Sequence, residues 1–177
     1  MEADRKQATS IELAALLMDA VCAPATQEEE ALRQLTVQLR VDLGRTRSEL
    51  MFLRAFAVDF ATSMTLGAGP ERQAIQERYL QHWERLDREV GGGLLADLRA
   101  RLEYYTEALD QPGREPTGLK GMMGRAFARC CGDGPAVQEL AFLGGEMFGA
   151  VFDEIAGLLQ DVEIVFCQAG GWDGVPQ

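Results

Sequence analysis

The chain has 177 residues, 47 % of them apolar and 25 % charged, which is enough for one domain with a real core and too ordered a composition for a disordered chain. A net charge of −11 leaves nothing to offset repulsion from a phosphate backbone, which excludes a nucleic-acid partner. No stretch reaches the ~18 uninterrupted apolar residues of a membrane span, and Met1–Ser10 lacks the apolar run of a signal peptide. The expectation is one cytoplasmic domain over residues 1–177, loosely ordered at 1–9 and 168–177.

Strand signals are nearly absent, and helical periodicity dominates. The first helix is predicted from Ser10 to about Val21, capped by Thr9 or Ser10, with Leu13, Leu16, Leu17 and Ala20 on its face. Pro24 interrupts it. Thr26 caps the next helix, whose first turn carries Glu28, Glu29 and Glu30 at the positive end of the helix dipole.

From there an apolar stripe runs Leu32, Leu35, Leu39, Leu43, Thr46, Leu50, Leu53, Ala57, Phe60, Met64. It predicts one long helix around residues 27–66, roughly 60 Å at 1.5 Å per residue, with a bend or break at Gly44. Before Gly44 the stripe is narrow and polar residues cover the other faces. After Ser48 the helix is apolar almost all round, which predicts that residues 48–66 form the centre of a bundle.

A third helix follows Pro70 to about Val90, with Ile75, Tyr79, Trp83, Leu86 and Val90 on one face. Gly91–Gly93 joins it to a fourth, from Leu94 to about Asp110, and the pair reads as an antiparallel αα-hairpin. Residues 111–118 form the clearest loop. A short helix from Leu119 to Cys131 buries Met122, Met123, Ala126 and Phe127, and the last helix spans Pro135 to about Val162. The fold expected is all-α: an irregular antiparallel helical bundle of five to seven helices around residues 48–66 and 137–162.

Candidate chemistry is sparse. His82 is the single histidine, which excludes histidine-pair metal sites and the Glu-x-x-His pairs of a di-metal bundle. It reads as a boundary residue. Asp59 lies in the most apolar stretch but projects away from the stripe, facing solvent or an arginine of a neighbouring helix. Glu139, Glu146, Asp153 and Gln160 recur every seven residues as a solvated row. Cys22, Cys130, Cys131 and Cys167 match no zinc spacing, and Cys130–Cys131 reads as small apolar packing at a helix end. Ala141, Gly145 and Gly149, four apart, allow another backbone to approach closely, within the bundle or across a dimer seam.

No catalytic residue, metal site or cofactor is assigned. Two function classes follow. The first is a non-catalytic helical protein–protein interaction protein (adaptor, assembly-chaperone-like or oligomeric scaffold), with Leu32, Leu35, Leu39 and Leu43 open to a protein partner or a second copy. The second is a helical protein binding a small apolar ligand in a pocket lined by Phe52, Phe56, Met122, Met123 and Phe148.

Overall fold

The computed structural model describes residues 6–23, 26–110, 118–132 and 137–165. Over these residues the chain forms β1 Lys6–Thr9, α1 Ser10–Cys22, α2 Thr26–Leu39, α3 Leu43–Leu66, α4 Pro70–Glu89, α5 Leu94–Asp110, α6 Gly118–Cys131, α7 Val137–Asp161 and β2 Val162–Val165. It is an all-α bundle with one very small sheet.

α3 packs against all six other helices. Residues 52–58 are buried without interruption, so the helix presents no side to water there. A helix apolar on every face is stable only when enclosed, and this is the one the bundle encloses.

The single helix expected over 27–66 is two. The break falls at residues 40–42 rather than at Gly44, because the residues around it supply both a stop and a start. Arg40 adopts φ 56°, its N–H bonds to the Val37 carbonyl at 3.3 Å, and the Val41 N–H reaches the Thr36 carbonyl at 3.1 Å. This is a Schellman closure with arginine in the left-handed position that glycine usually takes. Asp42 then starts α3, its Oδ1 accepting from the Arg45 N–H at 2.5 Å. Gly44 sits in the new first turn, where it breaks nothing. α2 consequently lies against α3.

α1 begins on a capping box: the Glu12 N–H donates to Thr9 Oγ1 (3.2 Å), and the Thr9 N–H donates to Glu12 Oε2 (2.8 Å). Its buried residues are Leu13, Ala14, Leu17 and Val21, and α1 packs chiefly on α4. Leu16, expected on the buried face, stands 47 % exposed.

The hairpin expected of α4 and α5 is loose. Gly91, Gly92 and Gly93 all have φ near +90°, and Asp87 Oδ1 accepts from the Leu95 N–H at 3.0 Å across the turn. Beyond it the helices part, α4 toward α1 and α5 toward α3 and α6. The tight helix pair is α6 with α7. A Cβ on Gly124 would overlap the Ala141 carbonyl oxygen, and one on Gly145 would lie 2.7 Å from the Lys120 carbonyl oxygen. The small residues of α7 therefore serve packing within the chain.

β1 and β2 pair in parallel, Lys6 opposite Val162 and Thr9 opposite Val165. This corrects one expectation, since residues 6–9 are held in a sheet; the last helix ends at Asp161, close to the expected Val162, and gives way to Val162, Ile164 and Val165, which are β-branched. Residues 1–5 and 168–177 lie outside the described residues, as does Cys167. No helix among the described residues is long and apolar enough to cross a membrane.

Candidate functional site

The residues singled out in sequence separate into two groups. Leu32 is buried, and Leu35, Leu39 and Leu43 are half-buried against the core, so the narrow stripe is largely covered by its own chain. Phe52, Phe56, Met123 and Phe148 are buried in that core, with Met122 half-buried at its edge. Phe56 stacks near Phe148 (centroids 6.2 Å apart) and Tyr105 (5.4 Å), while Phe60 lies against Phe148 (6.5 Å) and Phe152 (5.8 Å). Phe56 and Phe148, two of the residues expected to line an apolar pocket, thus pack ring against ring.

The polar suspects resolve individually. Asp59 is half-buried and accepts from Gln76 Nε2 at 3.1 Å, a glutamine on α4 rather than an arginine. His82 Nδ1 accepts from Arg85 Nη2 at 3.1 Å. Glu139, Glu146, Asp153 and Gln160 are all exposed. Among the described residues no group of three or more His, Cys, Asp or Glu side chains is placed to hold a metal ion.

Sequence reasoning missed Glu49. It is 4 % exposed on α3 and takes two hydrogen bonds from Arg101 of α5. Its spacing, three after Thr46 and four before Leu53, puts it on the buried stripe, and that was the available signal. Beside it Arg45 Nε donates to the Cys130 carbonyl at 2.8 Å, closing the C-terminus of α6 with a cation. Burial pushes the Cys130 thiol up, and burial with Glu49 nearby pushes Cys131 up to about 12. Both thiols are protonated at neutral pH and poor nucleophiles. This cluster joins α3, α5 and α6; its chemistry is structural.

A different place is open. α1 and α7 both pack on α3 but have little contact with each other, leaving a groove of about 520 Å³ between them. Leu16 and Ala20 of α1, with Ala23 just past its end, form one wall, Ile155 and Leu158 of α7 the other, and Arg54 of α3 lies at the floor. Asp19, Glu28 and Glu154 place carboxylates around it. Arg54 is 7 % exposed, and its Nη2 donates to Glu28 Oε2 at 3.1 Å, so the cation at the floor is already matched. The groove is an apolar trough with an acidic rim. Periodicity placed Leu16 on the buried face because it cannot see that α7 stands off from α1.

No protein-family model matches the chain, and comparison with curated proteins and with solved structures finds no match.

Proposed function

We propose that this protein is a non-catalytic interaction protein, of the adaptor or assembly-chaperone kind, that receives a basic amphipathic helix of a protein partner in the α1–α7 groove. The observation that carries it is Leu16: a leucine 47 % exposed on an apolar wall, ringed by Asp19, Glu28 and Glu154. A helix laid in such a groove buries apolar residues spaced i, i+3/i+4, i+7 and sets its flanking lysines or arginines against the rim. The charge of −11 steers a cationic partner in and disfavours a second copy, whose own carboxylates would meet these. This moves the interaction surface from the Leu32–Leu43 stripe to α1. A cytoplasmic setting suits the free thiols Cys22, Cys130 and Cys131.

The test is fluorescence anisotropy with a labelled 18-residue helix of leucine and lysine and with its scrambled isomer. The reading expects saturable binding that weakens with salt, and at least tenfold weaker binding of the scrambled peptide. Leu16→Gln should cost a further factor of about ten while leaving the melting temperature unchanged, since about 1.4 kcal/mol is the scale of one well-buried aliphatic side chain. Equal affinity for both peptides would show charge attraction alone and sink the reading.

A further inference from the structure

α2 is held more lightly than its neighbours. Among the described residues it packs principally on α3, whereas every other helix packs on at least two. Leu32 is buried, but Leu35 and Leu39 are half-buried and Val37 is 75 % exposed. A hollow of about 310 Å³ lies beside Leu32, among Val21, Leu50, Met51 and Leu86. Neither flanking helix needs α2 to keep its shape: α1 closes with the Ala23 N–H bonded to the Asp19 carbonyl, and α3 restarts on the Asp42 cap. Two ion pairs fasten its first turn to α3, Glu29 with Arg47 and Glu28 with Arg54 at 3.1 Å.

Glu28 is also the one α2 residue that lines the α1–α7 groove. With α2 docked, the carboxylates of Asp19, Glu28 and Glu154 surround the single cation Arg54. With α2 swung away, two carboxylates remain. Arg54, which makes no other ion pair among the described residues, then stands unmatched under the groove. A charge so little exposed is weakly screened, and it opposes a cationic ligand above it. We infer that α2 is a hinged strap that regulates the groove: docked, it makes the floor neutral and the rim acidic, and undocked it leaves a floor that repels a basic helix. This rests on the groove being the docking site. Linkage makes the effect reciprocal, so a basic helix in the groove holds α2 down by the same factor by which docked α2 raises its affinity.

The test is amide hydrogen exchange of the full chain, alone and saturated with the 18-residue leucine–lysine helix or with the same helix carrying glutamine for lysine. Residues 33–39 line no part of the groove, so a change in their exchange reports α2 docking and not cover by the peptide. They should exchange through a local opening, faster than residues 52–58 of α3, and the lysine peptide should slow them about tenfold. The glutamine peptide should slow them less, and in Glu28→Gln the two peptides should act alike. Leu32→Asp puts a charge into the α2–α3 contact outside the groove; it should undock α2 and weaken lysine-peptide binding about tenfold. Exchange of 33–39 at the rate of 52–58 overturns the inference, as does equal slowing by the two peptides in wild type. Faster exchange with lysine peptide, as when a lysine draws Glu28 from Arg54, overturns it too. If Leu32→Asp does not fold, the wild-type exchange still decides. A lysine peptide that does not bind ends the groove reading and the strap with it, whereas a bound peptide that leaves α2 exchange unchanged ends the strap alone.

Discussion

Arg101 holds Glu49 by two parallel hydrogen bonds, Nε to Oε2 at 2.6 Å and Nη2 to Oε1 at 2.5 Å, with the carboxylate nearly out of water. The pair ties α5 to the central helix. Removing the cation alone leaves a buried charge uncompensated, so Arg101→Met should destabilise by about 3 kcal/mol in urea unfolding. Replacing both partners, Glu49→Leu with Arg101→Met, should recover most of that loss. A double variant no more stable than the single one would mean that the pair is not what the site is built around.

The close approach of α6 and α7 depends on Gly124. Gly124→Ala puts a methyl into the Ala141 backbone, which cannot move aside, and should cost about 3 kcal/mol. Gly149→Ala meets only the flexible end of the Lys120 side chain and should stay within about 1 kcal/mol of wild type. The contrast, measured by chemical denaturation, checks whether backbone contact sets the seam.

Arg40 occupies a left-handed position at which a side chain is strained. Arg40→Gly should therefore raise stability, by about 1 kcal/mol, although it exchanges a charged residue for none. Arg40→Val, β-branched, should lower it by a similar amount.

The α1 capping box carries a pH signature. Hydrogen bonds from the Thr9 backbone and hydroxyl hold the Glu12 carboxyl below its ordinary value. A depressed carboxyl adds stability above its unfolded-state pKa and loses it as pH falls through the folded one. The gap in melting temperature between wild type and Glu12→Ala should be full above about pH 5.5 and close on acidification. A gap unchanged at low pH would exclude the cap as its source.

Cysteine alkylation offers a further check on burial. In a Cys167→Ser background at neutral pH, Cys22, which is exposed, should react first, although burial of its thiol and nearby Asp19 push its pKa up. Cys130 and Cys131 should react only on unfolding.

Much of the fold was legible because it rests on local chemistry. The Thr9 cap, the Pro70 start, the Gly91–Gly93 turn and the enclosure of residues 52–58 each follow from a few neighbouring side chains. Errors arose where two local signals competed. Gly44 drew attention as the weak point of a long helix, yet Asp42, as an N-cap, together with the closure at Arg40 decided the break. Val162–Val165, with three β-branched residues, became a strand because Lys6–Thr9, over 150 residues away, offered it a ladder.

The candidate site was less legible, for a reason that Leu16 makes plain. Its neighbours along α1 alternate as a buried face should, and by sequence alone Leu16 is a core residue. Sequence by itself determined an acidic, all-α chain organised around one helix that must be enclosed, since apolar residues on every face admit no other outcome. Only the tertiary structure decided that α7 stands off from α1, that Glu49 meets Arg101 and that Arg54 is left with an unused donor. Each depends on how segments distant in the chain come to lie in the fold, which no local pattern encodes.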